Sequence, residues 1–168
     1  MGYTTEFVGH FDVTPPLKEA HRKYLEKFSE TRRMKRNIAL LPADPVAEEA
    51  GLLPSEEGEY YVGGKGFAGQ DRDDSIVDYN NPPDSQPSLW NHWTSSKDGT
   101  KIEWDGGEKF YYYVEWIKYI VDNFMKRWSY ELNGSAQWFG DDRDDMGKIE
   151  IKNNELTILH GCVEYKMR

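Results

Sequence analysis

Cysteine is almost absent: Cys162 stands alone in 168 residues, so no disulfide closes within the chain. A chain of this length buries roughly 70% of its extended surface and needs no such staple. A reducing, cytoplasmic setting is therefore expected, with Cys162 as a buried structural thiol. Long apolar runs are also missing, none approaching the roughly 18 residues of a membrane span. The N-terminus opens on strand-like residues instead of a charged stretch followed by an apolar one, so no signal peptide is expected. Positive charge is in deficit, with 21 Lys and Arg against 30 Asp and Glu, a net −9. That balance argues against direct binding to nucleic acid or to an anionic membrane, since both require a basic footprint.

Catalytic signatures are equally scarce. His10, His21, His92 and His160 are scattered, with neither an H-E-x-x-H pair nor the Cys/His spacing of a zinc site. No G-x-S-x-G elbow occurs. There is no internal repeat and no strand–helix–strand alternation.

Aromatic side chains are plentiful: six tryptophans, eleven tyrosines and seven phenylalanines. An acidic chain this rich in large apolar rings has the material for a core and is not of the disordered type. Phe7, Gly9, Phe11 and Val13 alternate with polar residues, Val8 excepted, which predicts a half-buried strand. Thr14 followed by Pro15 reads as a helix start, and Leu17, Ala20, Tyr24, Leu25 and Phe28 predict a helix over 15–33. Residues 37–58, with Pro42, Pro45, Pro54 and repeated glutamates, read as a proline- and acid-rich insertion holding at most a short helix over Pro45–Ala50. Tyr60–Val62 predicts a brief strand, and 63–86 a long loop. Leu89–Thr94 and Lys101–Trp104 form a hairpin through Asp98-Gly99. Phe110, Val114, Ile117, Val121, Phe124 and Trp128 form the stripe of a helix over 109–127. Three strands follow, over 135–139, 148–152 and 155–159, the last two joined by Asn153-Asn154. This order gives an α+β fold, a single domain over 1–168, with two amphipathic helices on one face of an antiparallel sheet.

Five features point toward function. Gly64-Lys65-Gly66-Phe67-Ala68-Gly69 has the G-x-G-x-x-G pattern, but Asp71-Arg72-Asp73-Asp74 follows where a helix start and a phosphate would be. A flexible glycine turn is the simpler expectation. Asp141-Asp142-Arg143-Asp144-Asp145 falls short of a calcium loop, with Met146 and Asn153 where ligands belong. It reads as a charged hairpin loop, although Asp142, Asp144 and Asp145 remain candidate ligands for a divalent cation shared with the aspartates of 71–78. Cys162 lacks a nucleophile signature. Arg32, Arg33, Lys35 and Arg36 form the one dense basic run, suited to a helix C-terminus, and the Arg32–Arg33 pair is also able to clamp a phosphate or carboxylate. Gln86–Tyr113 is dense in aromatics: Trp90, Trp93, Trp104 and Glu108 to Tyr113. On a strand, Trp90 and His92 point to one face and Trp93 to the other, so one indole misses the common core and becomes a candidate stacking platform.

Several of these segments resemble a family of small proteins from bacterial and phage genomes. The resemblance is carried by Met1–Phe7, Pro15-Pro16-Leu17, Thr31–Met34, Gly66-Phe67, Gly69-Gln70, Asp78–Asn80 and Pro82-Pro83. It continues through Gln86-Pro87, Leu89-Trp90, Asp98–Thr100, Ile102–Tyr111, Asp144-Asp145 and Gly147–Ile149. Asn91-His92 and the tail after Leu159 depart from it. The resemblance implies a cytosolic single-domain protein encoded by a phage or mobile element, and brings no activity, cofactor or partner with it.

The expectation is a non-enzymatic binding protein that engages a small molecule or a protein partner. Its ligand residues would be Arg32, Arg33, Gln70, Trp90, His92, Trp93, Trp104 and Glu108. For a phage-borne gene the partner would be a component of host defence, with the acidic surface mimicking nucleic acid toward a basic host protein. No cofactor is expected under this reading. The rival is a metal-dependent hydrolase using the aspartates of 71–78 and 141–145 with Glu108.

Overall fold

A computed structural model describes residues 2–64 and 72–168, and β1 (Thr5–Thr14) is the pivot of its fold. Phe7, Phe11 and Val13 are buried while Glu6, Val8 and Asp12 stay exposed, as the two-residue period requires. β1 pairs antiparallel with β6 (Glu131–Gly140) along its whole length and with β5 (Lys101–Trp104) on its other side. The six-stranded sheet runs β4-β5-β1-β6-β7-β8, where β4 is Trp93–Ser95, β7 is Met146–Lys152 and β8 is Glu155–His160. All its pairings are antiparallel. Asn153 and Asn154, at φ +48° and +69°, make the tight β7–β8 turn expected of them.

One sheet face carries both long helices. α1 (Glu19–Glu30) buries Tyr24, Leu25 and Phe28. α3 (Tyr113–Ile120) runs straight into a wider π-turn at Val121–Met125, and together they bury Trp116, Ile117, Ile120, Val121, Phe124 and Met125. The helices meet through rings: Phe28 lies 5.2 Å from Phe124 and 5.8 Å from Trp116, edge to face in both cases. Such pairs contribute about 0.5–1.5 kcal/mol each beyond their buried area. The fold is α+β. No helix among the described residues is long and apolar enough to cross a membrane.

Several boundaries differ from expectation, each for a local reason. α1 starts at Glu19, because Thr14 is still paired to Glu131 in the sheet and the Leu17 N–H donates to Gly99 O. Thr14 is therefore a strand end and caps nothing. At the other end α1 stops at Glu30, so the basic run lies beyond it: Lys35–Arg36 form β2, paired with β3 (Ile76–Asp78). α3 begins four residues late, because Lys109 and Tyr112 adopt left-handed backbone at φ +58° and +60°. Residues 37–58 contain α2 (Pro45–Glu49), capped by Asp44, with Pro45 in its first turn. Ala47, Ala50 and Leu52 are buried, and Trp128 Nε1 donates to Ala50 O, so this segment is fastened to the core. Tyr60–Val62 is buried without forming a strand. Cys162 is exposed in the tail after β8, against the expectation of burial, because the sheet face that would cover it ends at His160.

Candidate functional site

The basic run closes on its own chain. Arg33 is buried, and its guanidinium donates to Tyr61 O (2.8 Å), Glu59 O (2.6 Å) and Gln86 Oε1 (3.3 Å) while lying 4.3 Å over the Phe28 ring. Burial lowers the basicity of this guanidinium. Arg36 stacks on Tyr61 and donates to Asp73 Oδ2 and Ser75 Oγ. Arg32 stacks on Tyr79 and donates to Tyr79 O. These arginines tie the end of α1 to 59–61 and to 73–86, which is why a loop without long regular elements holds a fixed course. The Arg32–Arg33 pair does not converge on one anion: Arg33 faces inward and Arg32 faces the Tyr79 turn.

The aspartates are likewise engaged separately. Asp145 accepts from the Tyr3 hydroxyl (2.6 Å) and from Trp138 Nε1 (3.0 Å), and Asp141 accepts from Thr4 N (2.8 Å). Asp73 belongs to Arg36 and Ser75, while Asp78 caps the Asn80–Asn81 turn. Asp142 and Asp144 lie in the β6–β7 loop, where Asp142 O accepts from Asp145 N and Asp144 O from Met146 N. Among the described residues no three of His, Cys, Asp and Glu are grouped to hold a metal ion. Asp71, Gln70 and the glycine motif from Lys65 onward lie outside the described residues.

Three expected ligand residues do converge. Trp90, His92 and Glu108 line one cleft of 630 Å³ between 82–92 and 108–112. Pro82, Pro87 and Leu89 supply one apolar wall, Tyr111 and Tyr112 the other, and Ser88 and Lys109 complete the lining. Its size falls within the range of ligand pockets. Behind this lining lies the core. Trp93 is buried, with its indole donating to Tyr113 O (2.9 Å), and Phe110 packs on Trp93 and Phe7. Trp104 is half-buried and donates to Gly107 O (3.1 Å). Trp93 and Trp104 therefore support the cleft and do not line it. The paired expectation for Trp90 and Trp93 resolves as one indole in the core and one half-exposed.

Local backbone sets this geometry. Leu89–Asn91 does not continue β4: the Asn91 side chain folds back on the outer edge of the strand, accepting from Trp93 N and donating to Trp93 O. Leu89 O accepts instead from Arg33 N (2.8 Å). Opposite, Lys109 and Tyr112 bracket Phe110-Tyr111, and their left-handed turns drive Phe110 inward while leaving Tyr111 and Tyr112 exposed. Each such residue costs about 1–2 kcal/mol, and strain of this kind is held where the surroundings over-determine it. His92 Nδ1 faces both Asp105 oxygens at 3.1 Å, which orients the ring, and Gly107 leaves the space it occupies.

Hydrogen-bond donors distinguish Trp90 from the other tryptophans. Trp93, Trp104, Trp116, Trp128 and Trp138 each donate their indole N–H to an internal oxygen. Trp90 has no such partner among the described residues, and neither do the hydroxyls of Tyr111 and Tyr112. Sequence reasoning missed Tyr111 and Tyr112, although both fall off the Phe110–Val114–Ile117 stripe. It also missed the proline wall.

No family model, no curated protein and no solved structure matches this chain, so the resemblance to small bacterial and phage proteins rests on its quoted motifs alone.

Proposed function

We propose that this chain is a non-enzymatic binding protein and that the Trp90–Tyr111–Tyr112 cleft is where its ligand sits. The observation that carries this reading is the contrast in the indole donors: five are consumed internally, and the sixth, without a partner among the described residues, belongs to a ring that lines a cleft walled by aromatic and proline rings. Exposed tryptophan and tyrosine anchored on a rigid base are the usual hot spots of recognition surfaces. Ser88 and His92 are not bonded to each other as a nucleophile–base pair: Ser88 bonds the Trp116 indole and the Trp90 carbonyl, and His92 bonds Asp105. Binding and positioning are what such an arrangement does well.

The test is affinity capture from a bacterial lysate with the wild-type chain and with a Trp90→Ala/Tyr111→Ala double variant of unchanged thermal stability. A protein or metabolite retained by the wild type and lost by the variant supports the reading. Equal recovery by both, or recovery by neither, overturns it.

A further inference from the structure

The hydrogen-bonding character of the cleft narrows its ligand. Trp90, Tyr111, Tyr112 and Lys109 line it, and the Trp90 indole N–H, the two phenols and the Lys109 ammonium are paired with no other side chain among the described residues. Side-chain acceptors are present too, in the Glu108 carboxylate and the same two phenols. Ser88 Oγ is already occupied by the Trp116 indole at 2.7 Å. The Asp105 carboxylate lies 3.1 Å from His92 Nδ1, and Glu108 lines the same cleft. A cleft lined by flat rings, with an indole N–H free to donate, suits a flat or ring-bearing apolar ligand that offers a carbonyl acceptor. Proline-rich chain in the polyproline II conformation fits it well, because proline has a carbonyl but no N–H, and that helix leaves its carbonyls unbonded.

The shape extends in the same direction. Past Pro87 and Tyr112 the cleft adjoins a second depression of 540 Å³, which includes Asp84, Glu115, Lys118 and Asp122. Lys118 is held by Asp122 at 2.7 Å and Asp84 by Lys35 at 2.8 Å, while Glu115 has no ion pair among the described residues. The surplus carboxylate at that end favours a basic side chain. Resting on the binding reading above, we infer that the cleft recognises a proline-rich peptide segment of a partner protein. Its prolines would lie on Trp90, Tyr111 and Tyr112, and an adjacent arginine or lysine would reach Glu115. Aromatic grooves take such segments favourably because the ligand is already extended before binding.

The experiment is a ¹⁵N–¹H titration of the full chain with Ac-Pro-Pro-Leu-Pro-Pro-Arg-NH₂, followed at the six indole resonances. Only the Trp90 indole is expected to shift strongly. Trp90→Phe keeps a ring but lacks the N–H, and should weaken binding about tenfold, the loss of roughly one hydrogen bond to the peptide. Glu115→Gln should weaken the arginine peptide and leave a version ending in norleucine unaffected. The matched peptide Ac-Ala-Ala-Leu-Ala-Ala-Arg-NH₂ should produce no comparable shift. Equal response to the alanine peptide, or no response to the proline peptide at millimolar concentration, overturns the inference. A Trp90 shift with maltopentaose and none with the proline peptide overturns it as well, yet leaves the cleft a binding site. The fate of the broader reading is thus separable from that of the peptide.

Discussion

The Arg33 node and the Trp90 cleft are joined by one short stretch of chain, Gln86–Trp90, yet their polar hydrogens meet opposite fates. At the node, the Arg33 guanidinium, the Gln86 amide and the Tyr119 hydroxyl are all satisfied within the protein. At the cleft, an indole N–H and two phenols have no internal partner among the described residues. Both regions look like ligand sites when read as residue types. The difference lies in where the donors end: a buried donor that already has its acceptors holds the fold together, whereas a half-exposed donor on a rigid wall is available to something else.

The sharpest way to break this comparison is to truncate the two neighbouring tryptophans separately. Trp93→Ala removes a buried ring that touches Phe7, Phe11 and Phe110, and is expected to cost about 3–5 kcal/mol in urea denaturation. Trp90→Ala should cost about 1 kcal/mol or less, because that ring already faces the cleft. If the two losses are equal, Trp90 is a core residue and the distinction between the regions fails.

Next in size is the node itself. Arg33→Lys keeps the charge but replaces a planar fork serving three acceptors with a single ammonium. Buried acceptors left without donors cost about 1–3 kcal/mol apiece, partly recovered by the lysine, so a net loss of about 2–3 kcal/mol is expected from the same denaturation. The loss should appear together with faster amide exchange across 73–86, the segment that Arg33 and Arg36 secure. A neutral substitution would mean that the node is surface electrostatics and no brace.

Much of the fold was legible in the sequence because periodicity reports burial directly. The alternation of Phe7, Phe11 and Val13, the central stripes of α1 and α3, and the Asn153-Asn154 turn are all local patterns that reappear, although Leu17 and Phe110, the first residues of the two stripes, fall outside the helices. What was not legible depends on a partner far along the chain. Thr14 looks like a cap until Glu131 pairs with it, and Arg33 looks like an anion ligand until the carbonyls of Glu59 and Tyr61 arrive. The site was half legible: the excess of aromatics marked Trp90, His92 and Glu108, since alternation denied both tryptophans the same core. Tyr111 and Tyr112 were hidden inside an apparently helical run, because nothing in Lys109 or Tyr112 as residue types announces left-handed backbone. A positive φ outside glycine arises from tertiary context, which no local pattern encodes.

That Tyr111-Tyr112-Tyr113 run supplies the smallest expected effect, silent at neutral pH. Tyr113 is the member that turns inward, lying 5.0 Å from Phe7 and 5.5 Å from Trp138. Burial, and secondarily the negative charge of Asp145, pushes its phenol up to about 12 from an ordinary 10. Tyr24 and Tyr119 are raised in the same direction by burial. A phenol harder to ionise in the folded state than in the unfolded one contributes stability in full below pH 10. That contribution disappears as pH climbs from 10 through 12, because the unfolded chain releases its proton first. Urea midpoints should therefore hold level to about pH 9.5 and fall above it. Tyr113→Phe, which has no proton to release, should flatten part of that alkaline decline while leaving the neutral midpoint nearly unchanged. An identical decline in the variant would place Tyr113 with its outward neighbours in the cleft wall, and the boundary between core and recognition surface would then lie one residue later than the left-handed turn at Tyr112 marks it.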